Sequence, residues 1–221
     1  MRSIIFDLDG TLVDTAPDLI DTLNAILTRE GFAPIPFDDA RAAIGGGAKL
    51  LLERGLSRTG AHVPPERLDA LYQDFLSYYA AHIADRSRPF PGLDAALDAL
   101  AADGFKLAVC TNKLEWLSVR LLDALDLRRR FAAICGQDTF GVAKPDPRIL
   151  RRTIAAAGGD ASRAVMVGDS ATDIATARAA GVPVIAVDFG YTDTPVGKLG
   201  PDRVISRFDD LPEAVAALAG A

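Results

Sequence analysis

Ile4-Ile5-Phe6-Asp7-Leu8-Asp9-Gly10-Thr11-Leu12 is an apolar run that ends in two carboxylates, one residue apart, and a glycine. Residues two apart on an extended strand share a face. If the apolar run is a buried strand, Asp7 and Asp9 leave its end together. Two like charges so close drive one carboxyl towards its neutral form unless a cation sits between them. The stretch therefore predicts a metal site or an acid–base pair at a strand end. Gly10 suits the tight turn that follows, because glycine tolerates positive φ.

Further short apolar runs occupy residues 106–110, 132–135, 164–167, 184–187 and 203–205. Helical spacing lies between most of them. Leu93, Leu97 and Leu100 precede the second run, Leu117, Leu121, Leu122 and Leu125 precede the third, and Ile149, Ile154 and Ala157 follow it. Strands alternating with helices predict the α/β class, with a doubly wound, Rossmann-like parallel sheet. In such sheets functional groups gather outside the carboxyl ends of the strands.

The alternation breaks once. Residues 15–86 carry helical patterns and no good strand. Helices are predicted over residues 18–30, with Leu19, Ile20, Leu23, Ile26 and Leu27 on one face, and over 47–56 and 65–83. Asp14, Thr15 and Pro17 supply start signals for the first, and Pro64-Pro65 for the last. The expected organisation is a core of residues 1–14 and 88–221 with an inserted all-helical domain at 15–87, hinged near 14–17 and 86–91.

The chain has 221 residues, 49% of them hydrophobic and 24% charged, an ordinary globular composition. Its net charge of −6 argues against a nucleic-acid surface as the main function. A small anionic ligand would need local charge to attract it. No apolar run approaches the ~20 residues that span a bilayer. Asp7 and Asp9 interrupt the N-terminal apolar stretch, so no signal peptide fits. Cys110 and Cys135 form no CxxC pattern and read as buried free thiols in a reducing cytosol, which makes the expected location cytoplasmic. Arg128-Arg129-Arg130 and Arg151-Arg152 read as a solvated face. His62 and His82 read as surface or packing residues. Monomer and homodimer both remain open.

Four strand ends carry polar residues that can converge: Asp7-Leu8-Asp9, Thr111-Asn112, Lys144-Pro145 and Asp169-Ser170-Ala171-Thr172-Asp173. Singly each has an ordinary structural reading. Asp169 suits the N-cap of a helix over 172–180, and Asp173 its dipole. Together they supply what phosphoryl transfer needs. A carboxylate attacks phosphorus and divides hydrolysis into two steps. A hard divalent cation such as Mg²⁺, with oxygen ligands, offsets the repulsion between two anions. A lysine and a hydroxyl hold phosphoryl oxygens. A second acid protonates the leaving oxygen and later deprotonates water.

Asp7-Leu8-Asp9-Gly10-Thr11, Thr111, Lys144-Pro145 and Gly168-Asp169-Ser170-Ala171-Thr172-Asp173 resemble the four motifs of the haloacid dehalogenase superfamily. The resemblance implies Asp7 as nucleophile, Asp9 as general acid–base, and Thr111 and Lys144 as phosphoryl ligands. It implies Mg²⁺ held by the Asp7 carboxylate, the Asp9 backbone carbonyl and Asp169, with Asp173 behind them, acting through water or Lys144. It also implies that the helical insert is a cap closing over the site.

Asp9 favours a phosphatase over a dehalogenase, because halide leaves without a proton. Ile44-Gly45-Gly46-Gly47-Ala48 with the leucine run after it, Tyr78-Tyr79, His82, Phe90-Pro91-Gly92-Leu93 and Thr111-Asn112-Lys113 are similar to the phosphoglycolate phosphatases of that superfamily. That likeness implies a small phosphorylated metabolite, 2-phosphoglycolate, as substrate. Asn112, Gly45 and Gly46 join Thr111 and Lys144 as expected substrate-binding residues, since a glycine run opening a helix lets backbone N–H groups approach an anion. Alternative substrates are a sugar phosphate or pyrophosphate. Lys49 keeps open a phosphonoacetaldehyde hydrolase working through a Schiff base, against the plainer reading of a surface pair with Glu53. A non-catalytic phosphoacceptor receiver or binding protein is the remote reading, which Asp9 and the insert oppose.

Overall fold

The computed structural model describes residues 1–41, 43–60, 63–192 and 194–219. The strands are β1 (Ser3–Phe6), β2 (Val13–Asp14), β3 (Arg88–Pro89), β4 (Lys106–Cys110), β5 (Ala133–Cys135), β6 (Ala164–Gly168), β7 (Val184–Val187) and β8 (Arg203–Ile205). The helices are α1 (Ala16–Arg29), α2 (Phe37–Arg41), α3 (Ala48–Arg58), α4 (Pro65–Ala81), α5 (Leu93–Ala102), α6 (Glu115–Ala124), α7 (Pro147–Ala156), α8 (Ala171–Ala180) and α9 (Leu211–Ala219).

Six strands form one parallel sheet in the order β5-β4-β1-β6-β7-β8. This is the α/β, Rossmann-like sheet that the alternation predicts. β1 is flanked on both sides and all four of its residues are buried, which is why Ile4, Ile5 and Phe6 are apolar without alternation. Alternate residues feed opposite faces. Ile4, Phe6, Val109 and Val167 join one apolar cluster with Leu97 of α5, Leu121 of α6 and Val215 of α9. Ile5, Ala108 and Met166 join another with Ile149 of α7 and Ile174 of α8. Burying side chains of this kind contributes roughly 1.5–3 kcal/mol each.

Register aligns the strand ends. Phe6 lies opposite both Val109 and Val167. The residues that follow, Asp7, Thr111 and Asp169, therefore emerge at one edge. The Asp7 N–H still donates to the Val167 carbonyl at 2.9 Å, and the Thr111 N–H to the Cys135 carbonyl at 3.0 Å.

α1 to α4 lie between β2 and β3 in the chain and pack on one another. α1 buries Leu19, Ile20, Leu23, Ile26 and Leu27, the face the spacing predicts. Gly55 lets α3 approach α1 closely, since a Cβ there would sit 2.6 Å from a Leu23 methyl. β2 and β3 pair antiparallel, Val13 with Pro89 and Asp14 with Arg88. Beside this ribbon the buried Asp18 carboxylate accepts the N–H groups of Arg86 and Ser87, at 3.0 and 2.8 Å, and the Ser87 hydroxyl at 2.6 Å. The two chain crossings are thereby tied together.

Several details depart from the sequence reading. α1 begins two residues earlier, with Pro17 in its first turn, where a missing N–H costs nothing. α3 runs on to Arg58 and α4 stops at Ala81. The short α2, β2 and β3 leave no periodic signal to read. The arginine cluster is a surface one: Arg128, Arg129 and Arg130 pair with Asp123, Asp126 and Asp98. Cys110 and Cys135 are free, buried and paired in register. Burial pushes the Cys110 thiol up to about 12, so it is an inert thiol. His62 lies outside the described residues. Among those residues, no helix is long and apolar enough to cross a membrane.

Candidate active site

Three carboxylates and one ammonium meet at the carboxyl ends of β1 and β6. Oxygen atoms of Asp7, Asp169 and Asp173 lie within 4.8 Å of one another. Lys144 reaches in from its loop, with Nζ 2.8 Å from Asp7 Oδ1 and 2.6 Å from Asp173 Oδ1. The contact to Asp7 is ionic rather than a directed hydrogen bond, so Asp7 Oδ1 has no hydrogen-bond partner among the described residues.

Local structure explains each placement. Asp7 continues β1. Gly10 turns the chain with φ +82°, and a Cβ there would lie 2.6 Å from Asp169 Oδ2. Asp169 follows β6 and accepts the Thr11 hydroxyl at 3.0 Å and the Tyr191 N–H at 2.8 Å. It does not cap α8, as its position in sequence suggests. Ser170 does, in a capping box with Asp173. Asp173 thus serves the helix through Oδ2 and Lys144 through Oδ1.

Thr111 is buried, and its hydroxyl accepts the Lys113 N–H at 3.1 Å, leaving its proton free to donate. Asn112 spends both ends of its amide on the Lys144 backbone, donating to the carbonyl at 3.1 Å and accepting the N–H at 2.8 Å. These two bonds position the lysine loop. Asp9 stands apart from the carboxylate cluster. Its Oδ1 accepts the Thr15 hydroxyl at 2.7 Å, and Lys113 Nζ lies 2.9 and 3.0 Å from its two oxygens.

These groups line a cavity of 890 Å³ between the sheet edge and the helical insert. Asp7, Asp9, Thr111, Asn112, Lys144 and Asp169 line it from the core, and Gly45, Gly46, Arg54, Tyr72 and Tyr79 from the insert. Lys49 does not line it. Its ammonium pairs with Asp69 of α4 at 2.6 Å on an exposed surface, and not with Glu53 as the helical spacing suggests. His82 pairs with Asp85, likewise exposed.

Sequence reasoning misses three contributors. Lys113 enters it only as part of a pattern, and Tyr79 only as one of a tyrosine pair. Tyr191 belongs to no motif. Its hydroxyl accepts the N–H groups of Thr15 and Ala16 at 2.6 and 2.9 Å and donates to Asp14 at 2.7 Å. Its own N–H holds Asp169, so one residue joins the carboxylate cluster to the start of α1.

Charge at the cluster is unbalanced, with three carboxylates against one ammonium. Burial first, and then Asp173, raise Asp7 to about 6 against the pull of Lys144. Burial, then Asp173 and Asp7, raise Asp169 to about 8. Burial opposes the Lys144 charge, but Asp173 and Asp7 outweigh it and raise its pKa. An all-oxygen pocket in which three carboxylates face one ammonium fits a hard divalent cation.

Stability should report that cation. Both acids bind a proton more tightly folded than unfolded. Their contribution is complete below about pH 4 and is lost as pH rises through about 6 for Asp7 and about 8 for Asp169. A bound dication favours the ionised forms and reverses that loss. Mg²⁺ is therefore expected to raise the Tm of metal-stripped protein more at about pH 8 than at about pH 5, where protons compete for the same oxygens. Thermal unfolding at both values checks this, and equal shifts would count against the cluster as the binding site.

The comparisons agree with the geometry. The family model for haloacid dehalogenase-like hydrolases matches residues 4–187. A phosphoglycolate phosphatase of Caulobacter vibrioides is 53% identical over 216 residues, which cover 98% of this chain and 91% of that protein. One from Mesorhizobium japonicum is 50% identical, covering 94% and 92%. Among solved structures, a predicted phosphoglycolate phosphatase from Haemophilus somnus 129PT superposes with a TM-score of 0.91 at 28% identity, covering 97% of each chain. With a match that runs from the first strand to the seventh, the chain belongs to the haloacid dehalogenase-like hydrolase family.

Proposed function

We propose that this protein is a phosphomonoesterase that hydrolyses 2-phosphoglycolate to glycolate and phosphate through a phosphorylated Asp7. One observation carries the reading: Asp7, Thr111 and Lys144 face one cavity, with Asp9 held apart from the carboxylate cluster. Asp7 attacks phosphorus as the ester bond breaks, and the bond's electron pair leaves with the alkoxide. Asp9 gives that oxygen a proton. It then takes one from water, whose oxygen attacks the phosphorus and restores the Asp7 carboxylate. Lys144 and the Thr111 hydroxyl hold the phosphoryl oxygens as charge shifts.

Asp7, Asp169 and the Asp9 backbone carbonyl are the groups to hold Mg²⁺, with Asp173 beside them. When bound, the ion supplies the positive charge that lets an anionic nucleophile approach an anionic ester. Residues 15–87 act as a cap over a core of 1–14 and 88–221, and Gly45 and Gly46 bring backbone N–H groups to the substrate side. Free buried thiols suit a reducing, cytoplasmic setting.

A cavity of 890 Å³ is far larger than this substrate. We read it as the open state of a lid that closes on binding. The same volume favours a second reading, a sugar-phosphate-sized substrate. Steady-state kinetics with Mg²⁺ on 2-phosphoglycolate, several sugar phosphates and phosphonoacetaldehyde separate the two. A kcat/KM at least about 100-fold higher for 2-phosphoglycolate is expected, the upper scale of one charge-assisted hydrogen bond to its carboxylate. No preference would leave only the phosphatase class.

A further inference from the structure

Lys113 is a buried cation that the reaction above leaves without a task. Its side chain is 5% exposed, and its ammonium bridges both Asp9 oxygens at 2.9 and 3.0 Å. The centre of the Tyr79 ring of α4 also lies 4.6 Å from that ammonium, in range for a cation–π contact. Both residues line the cavity. The Tyr79 hydroxyl is buried beside the Lys113 ammonium, which can only donate to it, and its own proton has no acceptor among the described residues. Buried hydroxyl protons are seldom left so, which points to an acceptor that arrives from the cavity.

Asp9 is tied down by the Thr15 hydroxyl and twice by Lys113. Before its carboxyl can turn to a leaving oxygen, the Lys113 contacts must open. A buried ammonium that gives up one anion needs another.

The substrate proposed above supplies it. In 2-phosphoglycolate the carboxyl carbon is two bonds from the leaving oxygen. Whatever binds the carboxylate must therefore stand next to whatever protonates that oxygen. Lys113, in contact with Asp9, meets this condition. Lys144 does not, being held between Asp7 and Asp173. Arg54 comes from the helical insert and ties one guanidinium nitrogen, Nη1, to the Ala43 and Gly45 carbonyls at 3.0 and 3.4 Å; unlike Lys113 it has no contact with Asp9.

We propose that Lys113, with the Tyr79 hydroxyl, recognises the substrate's carboxylate, and that Lys113 changes ion-pair partner from Asp9 to substrate as it does so. The inference rests on the phosphoglycolate reading and names the residues that set its specificity. No covalent bond changes in the exchange. Asp9, then held by Thr15 alone, is free to turn towards the leaving oxygen. The Tyr79 ring stays against the ammonium throughout. An ester without a carboxylate leaves Lys113 on Asp9 and is turned over slowly even at saturation, so discrimination appears in kcat as well as in KM.

The test is kcat and KM for 2-phosphoglycolate and ethyl phosphate with wild type, Lys113→Met, Lys113→Arg, Tyr79→Phe and Arg54→Met. Lys113→Met is expected to lower kcat/KM for 2-phosphoglycolate about 30-fold more than for ethyl phosphate, the scale of one lost charge-assisted hydrogen bond. Tyr79→Phe, which keeps the ring and its packing, is expected to narrow the preference about 5-fold, and Lys113→Arg to restore part of what Met removes. Arg54→Met should retain the preference. If Lys113→Met and Tyr79→Phe keep the wild-type preference, or lower both substrates alike, Lys113 only braces Asp9 and the proposal is wrong. Loss of preference in Arg54→Met alone would move recognition to the glycine loop and would equally overturn the proposal. Failure of the wild type to hydrolyse either ester with Mg²⁺ would instead overturn the phosphatase reading, and it is seen without any variant.

Discussion

Asp7→Asn is expected to lower kcat on 2-phosphoglycolate by at least about 10⁴-fold, because it removes the nucleophile. The same variant should be more stable than wild type in the absence of metal. Burial and the Asp173 and Asp9 charges raise the Asp7 carboxyl to about 6, so its charge opposes folding at neutral pH. A neutral amide of the same shape relieves that opposition. The gain is about 1–3 kcal/mol at about pH 8, since a tenfold change in proton affinity between folded and unfolded chain is worth about 1.4 kcal/mol. It should shrink as pH falls below about 4, where Asp7 becomes protonated in the unfolded chain as well as in the folded one. Urea unfolding at the two values measures it. A folded, inactive and stabilised protein separates loss of the nucleophile from loss of the fold. Near-normal activity would show that Asp7 is not the nucleophile.

Asp9→Asn is expected to cost about 10²–10⁴-fold on 2-phosphoglycolate, the worth of a positioned general acid–base. Its effect should depend on the leaving group. p-Nitrophenolate departs without a proton, so the first step with p-nitrophenyl phosphate should survive in the variant. The second step still lacks its base. A rapid release of one nitrophenolate per enzyme, followed by slow turnover, is the expected trace in stopped flow. An equal slowing of both steps for both esters would mean that Asp9 only supports the loop it leaves. The contacts of Asp9 favour the chemical role. Its side chain is held by Thr15 and Lys113 and is not one of the three carboxylates that gather within 4.8 Å.

What can be read in sequence follows from how local each signal is. β1, β4, β7 and β8 are short, mainly apolar runs that stop at polar residues, and their bounds coincide with the runs. The chemistry-bearing residues are legible because a parallel sheet delivers them where strands stop. Asp169 reads as a helix cap in sequence because its partners, Thr11 and Tyr191, are 158 and 22 residues distant. Ser170, one residue on, fits the helix start better once Asp173 reaches back to it. Helical spacing pairs Lys49 with Glu53, but its partner Asp69 comes from the facing helix, 20 residues on. Lys113 carries no local clue at all, since Asp9 lies 104 residues away in sequence. Asn112 reads in sequence as a residue at the site, and it lines the cavity; that its amide also holds the lysine loop, 32 residues on, is not visible there.

The central claim is that Asp7 carries the phosphoryl group between the two steps. Acid quenching during turnover of 2-phosphoglycolate with Mg²⁺, followed by borohydride, converts an aspartyl phosphate to homoserine that peptide mass spectrometry can locate. The account predicts homoserine at position 7, with a larger yield in Asp9→Asn, where the intermediate is stranded. Full turnover with Asp7 unmodified in both proteins, or homoserine at Asp169 or Asp173 in its place, would contradict it.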